Sequence, residues 1–194
     1  AIAEFVRGWP NSMLAMTTRG RSALQSAIVG GVTTAALRES GLPVYATIPH
    51  SKAELALSRR HKSGDAAGQL LAVAHPEDDA IESLRSLRTT LHFALLDAAH
   101  NSLLITGSSP GLGKSFVSKN LGAVLAQADK QIVIIDADLR RGHINKEFGL
   151  PRDVGVSEYV ADEATIDAIV KPTSIANLAI VTTGQIPPNP SELL

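Results

Sequence analysis

The stretch from Leu103 to Arg141 constrains the fold more than any other part of the sequence. It contains two apolar runs, at 103–106 and 132–135, separated by a glycine-rich turn and a helix-like segment over Phe116–Ala128. The second run leads into Asp136-Ala137-Asp138. This order predicts a strand, a tight turn, a helix and a second strand, which is the unit of α/β proteins with a mostly parallel sheet flanked by helices.

The turn after the first predicted strand, residues 107–115, has the composition of a phosphate-binding loop and is called the glycine-rich loop. Small residues let successive backbone N–H groups point at one anion, and the following helix N-terminus adds positive potential. Lys114 can reach the β- and γ-phosphates of a nucleotide, and the Ser115 hydroxyl can bind Mg²⁺. The pattern G-x-x-x-x-G-K-[ST] is met except at Ser108, which replaces its first glycine. An ordinary glycine turn would not explain a Lys-Ser pair at the helix start.

The aspartates after the second apolar run supply the other half of the expected site. In open α/β sheets, ligands bind at the carboxyl ends of the strands. Asp136 is therefore expected beside a magnesium ion that also contacts Ser115 and the nucleotide phosphates. The sequence thus predicts a P-loop domain that holds a nucleoside triphosphate and its metal.

Composition and charge exclude several other kinds of partner and site. With a formal net charge of −1 and 4% aromatic residues, the chain offers no electrostatic case for binding nucleic acid. It has no cysteine, so neither disulfides nor thiolate metal sites are available. The six histidines show no ligand spacing and are interpreted as surface or packing residues. A length of 194 residues suits one α/β domain with an extra segment.

The chain is expected to fall into three parts. Residues 1–38 are an N-terminal segment of uncertain structure, with one helix expected over Ser22–Arg38 and no pattern of a membrane span or secretory signal. Residues 39–68 are interpreted as a short edge strand at Val44–Pro49 followed by a basic linker. That linker is either a solvated loop or a contact with anionic lipid. Residues 69–194 are expected to form a partial P-loop domain.

A helix is predicted from Asp78 to His100, because apolar residues recur there at helical spacing. On its other face, Glu82, Arg85 and Arg88 lie three residues apart. Such a row is either a solvated face with a Glu82–Arg85 ion pair or a surface that docks on a neighbouring subunit. Further along the chain, the sequence predicts short helices at 155–160 and 163–170 and a third core strand at 178–182.

From Gly41 to Leu194 the sequence resembles the cytoplasmic kinase domain of the bacterial tyrosine kinases, or BY-kinases. These autokinases regulate the polymerisation and export of capsular polysaccharide and exopolysaccharide. The matching segments are GLPVYATIP (41–49), ESLRSLRT (82–89), TGSSPGLGKSFV (106–117), IIDADLRRG (134–142), KPTS (171–174) and GQIPPNPSELL (184–194). They occur in the family's order, and the combination is more specific than any single motif.

The resemblance implies a role for each motif residue. ATP would be bound by the Walker A loop and the start of its helix, here Ser108, Ser109, Pro110, Gly111, Leu112, Gly113, Lys114, Ser115 and Phe116. Lys114 would contact phosphate, and Ser115 would bind Mg²⁺. Asp136 and Asp138 match the second acidic motif, Walker A′. Asp136 would lie near the metal and help to activate the attacking tyrosine hydroxyl, and Asp138 would support the metal shell. The implied catalytic residues are Lys114, Asp136 and Asp138.

The resemblance also implies an assembly and a location. Glu82, Arg85 and Arg88 resemble the E-x-x-R-x-x-R row through which family members form a homo-oligomeric ring, in which each tyrosine tail reaches the next active site. The implied location is the cytoplasmic face of the bacterial inner membrane, with the membrane helices outside this chain. Implied partners are the polysaccharide polymerisation and export proteins and a cognate tyrosine phosphatase.

Two features of the family are absent from these 194 residues: the Walker B strand and the C-terminal tyrosine cluster. The chain is therefore expected to be a fragment whose P-loop fold is incomplete at the C-terminus, and to be a weak or inactive kinase by itself. Two other functions stay open. One is a partitioning-type ATPase similar to ParA or MinD, although such proteins carry a second lysine where this sequence has Ser109. The other is a non-catalytic, nucleotide-dependent scaffold of the polysaccharide export machinery.

Overall fold

A computed structural model of the protein describes residues 46–63, 70–95, 101–107 and 110–187. The helices are α1 (Lys52–Ser63), α2 (Leu71–Ala74), α3 (Asp79–Leu95), α4 (Lys114–Ala126), α5 (Ile144–Glu147), α6 (Val156–Val160) and α7 (Ile166–Ile169). The strands are β1 (Ile132–Ile135), β2 (Val170–Pro172) and β3 (Leu178–Val181). The chain divides into two compact units, one formed by residues 1–52 and 77–118 and the other by residues 53–76 and 119–194.

In the first unit, α3 confirms the helix predicted from apolar periodicity, and it begins at Asp79. Its buried face consists of Ala80, Ile81, Leu84, Leu87 and Leu91. Asp78 occupies the position before the helix, where its Oδ1 accepts the N–H of Ala80 at 2.9 Å. This contact satisfies a backbone donor that the first helical turn leaves without an intrahelical partner. Residues 96–100, the end of the predicted helix, lie outside the described residues.

The second unit is built on a three-stranded sheet in the order β1-β3-β2. β1 pairs with β3 in parallel, from Ile132 opposite Leu178 to Ile135 opposite Val181. β2 pairs with β3 in antiparallel orientation, so the described sheet is mixed rather than mostly parallel. β3 confirms the third predicted strand. Its central position and its buried residues Leu178, Ile180 and Val181 place it in the core of this unit.

Helix α4 packs on β1 at a glycine. A Cβ on Gly122 would lie 2.6 Å from Cδ1 of Ile134, so a larger residue here would displace the Ile134 side chain. Nearby, the buried side chain of Asn120 accepts the N–H of Ala72 at 2.9 Å and ties α2 to α4. Leu121 and Val124 complete the buried face of this part of α4.

Helix α1 corrects the prediction of a basic linker in this region. The segment is rich in Ala, Leu, Glu, Lys and Arg, which are strong helix formers, and Glu54 lies in its first turn, where negative charge is favourable. Leu57 is buried. The buried ammonium of Lys119 on α4 contacts the Glu54 carboxylate at 2.9 Å and also the Glu147 carboxylate on α5. The segment that was interpreted as a basic linker therefore also supplies an acidic partner, Glu54, to a buried cation.

Other predictions differ from the structure. Residues 101–107 include the first predicted strand, at 103–106, but lie in neither helix nor strand, and Leu104 is 76% exposed. Residues 46–50 likewise form no strand, so the edge-strand prediction is wrong over its described part. The second short helix is confined to Ile166–Ile169, because Val170 pairs with Val181 and begins β2. The helix expected at 22–38 lies outside the described residues.

Candidate nucleotide-binding site

The described part of the glycine-rich loop adopts a conformation that depends on glycine. Gly111 and Gly113 have φ values of 75° and 86°, in the left-handed region that side chains disfavour. α4 then begins at Lys114, and the N–H of Val117 donates to the Gly113 carbonyl at 2.9 Å. The sequence prediction of a turn that feeds directly into a helix is therefore confirmed for these residues. Ser108 and Ser109 lie outside the described residues.

Gly107 marks where the loop folds back on itself. A Cβ at this position would lie 3.1 Å from Cδ1 of Leu112 and 3.5 Å from Cδ of Lys114. The aliphatic part of the Lys114 side chain thus runs beside the backbone at the start of the loop. Lys114 and Ser115 are both half-buried. The loop accordingly places a cation and a hydroxyl at the first turn of a helix, the arrangement that binds phosphate.

The acidic turn, residues 136–142, is held by hydrogen bonds in the second unit. Asp136 is 6% exposed and continues the strand pairing, since its N–H donates to the Val181 carbonyl at 2.9 Å. Its carboxylate accepts the N–H of Ile144 at 3.1 Å on Oδ2 and the N–H of Asp138 at 3.3 Å on Oδ1. Asp136 therefore fixes both the turn and the first residue of α5.

Asp138 is exposed and shapes the same turn. Its Oδ1 accepts the N–H groups of Arg140 and Arg141 at 3.2 and 2.9 Å. The Gly142 N–H donates to the Asp138 carbonyl at 2.7 Å and closes the turn. Both predicted aspartates thus lie at the carboxyl end of β1 with carboxylate oxygens held by backbone donors.

Two hydroxyl residues that sequence reasoning did not single out support this turn. Thr183, which is 1% exposed, donates its hydroxyl to the Asp136 carbonyl at 3.2 Å. The Thr183 carbonyl accepts both the N–H and the hydroxyl of Ser157, at 3.0 and 2.9 Å. The Ser157 hydroxyl also lies 2.7 Å from the Gln185 carbonyl. The only sequence signal for Thr183 is that it follows Thr182 directly after the apolar strand β3.

Glu158 holds the chain that follows Thr183. Its carboxylate accepts the N–H of Gly155 at 2.7 Å and the N–H of Gln185 at 2.9 Å. Burial by itself would raise the pKa of Glu158, but the N–H donors of Gln185 and Gly155 outweigh it, so the pKa lies below the ordinary value of 4.5. The ionised carboxylate is the form that these donors stabilise.

The donor set fits Mg²⁺ by its chemistry. Magnesium is bound by oxygen ligands, commonly one or two carboxylates together with substrate phosphates and water. Asp136, Asp138 and Ser115 supply such oxygens, and each Asp136 oxygen has one modest hydrogen bond and a further lone pair. The described residues contain no group of three or more His, Cys, Asp or Glu side chains arranged to hold a metal.

The glycine-rich loop belongs to the first unit and the acidic turn to the second. Within its unit, the loop brings Gly107, Leu112 and Lys114 together, and the acidic turn brings Asp136 and Asp138 together. A single site that contains Lys114, Ser115 and both aspartates stays a prediction.

The charged row on α3 is described in the first unit. Arg85 and Glu82 form the predicted ion pair at 3.0 Å, with the glutamate side chain the more exposed of the two. Arg88 is half-buried on the same helix. The ion pair is confirmed, and the docking role of the row stays a prediction. Among the described helices, none has the length and hydropathy of a membrane span.

No protein-family model matches the chain. The tyrosine-protein kinase wzc of Salmonella typhimurium is 45% identical over 167 residues, covering 82% of this chain and 23% of that protein. The tyrosine-protein kinase ptk of Acinetobacter johnsonii is 39% identical over 196 residues, covering 100% of this chain, residues 1–38 included, and 26% of that protein. The chain thus spans about a quarter of the length of these curated relatives.

Solved structures agree with the sequence relatives. The kinase domain of the Escherichia coli tyrosine kinase ETK matches with a TM-score of 0.73 and 43% identity, covering 81% of this chain and 62% of that domain. This match confirms the predicted P-loop fold class, in which a sheet is flanked by helices. The motifs, the fold and the relatives coincide, and the chain belongs to the family of bacterial tyrosine kinases.

Proposed function

We propose that this chain is the nucleotide-binding part of a protein-tyrosine autokinase that regulates polysaccharide polymerisation and export. The observation that carries the proposal is the glycine-rich loop. Two glycines with positive φ lead directly into a helix that opens with Lys114-Ser115, in a chain whose relatives are named tyrosine-protein kinases. The substrates would be ATP and a protein tyrosine, and the products ADP and phosphotyrosine.

In this proposal each half of the site has a distinct task. Backbone N–H groups of the glycine-rich loop and the Lys114 ammonium bind the phosphates, and the Ser115 hydroxyl and both aspartates hold the metal. Bound Mg²⁺ would neutralise charge that develops on the transferred phosphoryl group. Asp136 accepts the proton of the attacking tyrosine hydroxyl. Such catalysis depends on positioning and charge, because the protein forms no covalent intermediate.

Nucleotide binding is the first test. Isothermal titration calorimetry with Mg²⁺ and ADP should detect binding to the protein, and Lys114→Met should weaken it about 10- to 100-fold, because a charged hydrogen bond to phosphate is lost. Lys130→Met removes an exposed lysine outside the loop and serves as the matched control. Absence of Mg²⁺-dependent ADP binding by the folded wild-type protein would overturn the proposal.

An experiment in cells distinguishes a catalytic function from a scaffold function. A Lys114→Met strain should lose phosphotyrosine and produce polysaccharide of altered chain length if phosphorylation is the regulatory event. Normal polymer length without phosphotyrosine would instead support a scaffold that acts without phosphoryl transfer. In that outcome the chain would act by assembly alone, at the inner membrane and with the polymerisation and export proteins as its partners.

We further propose that α3 mediates assembly into a ring through Glu82, Arg85 and Arg88. The exposed Glu82–Arg85 pair supports this, because an ion pair in solvent adds little to the stability of one subunit and leaves its charges available to a neighbour. Arg85→Glu should abolish assembly in light scattering, whereas the same charge reversal at exposed Lys130 should not. Unchanged assembly of the Arg85 variant would remove the row from the interface. In this proposal, a cognate phosphatase reverses the autophosphorylation of the assembled kinase.

A further inference from the structure

We propose that Thr183 is a positioning residue for Asp136, and that its buried hydroxyl sets the affinity of the acidic turn for Mg²⁺. This inference rests on the proposed function, because that function places the metal at Asp136. Thr183 does not reach the metal in this proposal. It acts through the backbone of the residue that does.

The first argument is the way in which Thr183 fixes Asp136. The Asp136 N–H donates to the Val181 carbonyl at 2.9 Å, and the Asp136 carbonyl accepts the Thr183 hydroxyl at 3.2 Å. Both polar backbone groups of Asp136 are therefore held by the segment that ends β3. β1 ends one residue earlier, at Ile135, so the side-chain hydroxyl continues the pairing where the strand ladder stops.

The second argument is that the same hydroxyl also packs against the far end of the acidic turn. A Cβ on Gly142 would overlap Thr183 Oγ1 and would lie 2.8 Å from the Asp138 carbonyl oxygen. The Gly142 N–H donates to that carbonyl at 2.7 Å. One hydroxyl thus contacts the first and last residues of the turn that carries both aspartates.

The third argument is that Thr183 is itself immobilised. Its carbonyl accepts two hydrogen bonds from Ser157, and its side chain is 1% exposed. A buried hydroxyl held in this way can impose a position on Asp136 rather than follow it. Outer partners of this kind orient metal ligands, and their loss typically lowers metal affinity about 10- to 100-fold.

The experiment compares Thr183→Val with Thr183→Ser. Valine keeps the shape of threonine but removes the hydroxyl, whereas serine keeps the hydroxyl and removes the methyl group. Mg²⁺ is titrated by calorimetry into each protein saturated with ADP, and ADP affinity is measured separately in EDTA. Urea unfolding reports whether each variant is folded.

The Val variant should bind Mg²⁺ about 10-fold more weakly, and the Ser variant should stay within about 2-fold of wild type. ADP affinity in EDTA should be the same in all three proteins, since the glycine-rich loop is unaltered. A general structural defect would instead lower ADP affinity and stability together. If the Val variant does not fold, Thr183→Ala replaces it, with the same expected loss.

Three results would overturn the inference. The Val variant could bind Mg²⁺ as wild type does, which would show that the hydroxyl does not position Asp136. Serine could lose as much affinity as valine, which would assign the effect to packing of the methyl group. Finally, wild-type protein could show no Mg²⁺-dependent ADP binding. That last result would overturn the proposed function itself, whereas the first two leave it intact.

Discussion

The glycine-rich loop and the acidic turn are two ways of holding a polar segment in place. The loop depends on its own backbone: Gly111 and Gly113 have positive φ, and α4 begins at the next residue. The acidic turn depends on distant residues, because Val181 and Thr183 hold Asp136 from the neighbouring strand. Neighbouring residues in the sequence determine the conformation of the loop. Residues that are distant in the sequence, and that only the fold brings together, determine the conformation of the acidic turn.

The largest effect is expected from Gly142→Ala in the acidic turn. The new methyl group would overlap Thr183 Oγ1, so the free energy of unfolding should fall by about 3 kcal/mol in urea denaturation. In a Thr183→Ala background the obstructing hydroxyl is gone, and the same change should cost less. Equal costs in both backgrounds would show that Gly142 and Thr183 are not coupled.

A smaller effect is expected from Gly113→Ala in the loop. The φ of 86° would force an L-residue into the left-handed region, which costs about 1–2 kcal/mol. Gly113→Asn should cost less, because Asn tolerates positive φ better than Ala. The measurement is urea unfolding without nucleotide. If Asn and Ala cost the same, backbone conformation is not what makes this position require glycine.

The smallest effect, and the one that depends on pH, is expected from Glu158→Gln. The folded-state pKa of Glu158 lies below 4.5, so the unfolded chain binds more protons in that range and stability increases with pH. The stabilisation is complete above the ordinary pKa and is lost as pH falls through the lowered pKa of the folded state. The difference in unfolding free energy between wild type and Glu158→Gln should therefore be largest at neutral pH and shrink on acidification.

The exposed Glu163→Gln controls for the loss of one negative charge. If the wild type and the Glu158 variant differed equally at neutral and acidic pH, the carboxylate would not be what holds Gly155 and Gln185. The chain after Thr183 would then be held by the Ser157 hydroxyl, which contacts the Thr183 and Gln185 carbonyls, rather than by charge.

These contrasts explain what the sequence could predict. Short-range patterns predicted three features that the structure confirms. These are the start of α4 near Lys114, the end of β1 before Asp136 and the buried face of α3. Thr183 was missed because its contact with Asp136 spans 47 positions and depends on the parallel register of β1 and β3. No local pattern distinguishes it from an ordinary strand end.

The incorrect predictions have physical reasons too. The apolar run at 103–106 has strand composition, but a strand also needs a paired neighbour, and residues 101–107 are assigned to none. The basic segment after Ser51 was judged by its charge, although its helix-forming residues and the partner of Lys119 decide its structure. The first segment lacks a paired strand, and helix propensity together with a buried partner determines the second.

The buried cluster of Lys119, Glu54 and Glu147 determines where a shortened version of this protein could start. A version cut at residue 69, the boundary that the sequence suggested, would delete α1, the buried Leu57 and one of the two carboxylates that share the ammonium. The truncated protein would keep every nucleotide motif and yet carry an altered interior charge balance. The start of a minimal folded piece should therefore be sought upstream of Lys52, because the partners of Lys119 in α4, rather than the glycine-rich loop, set that limit.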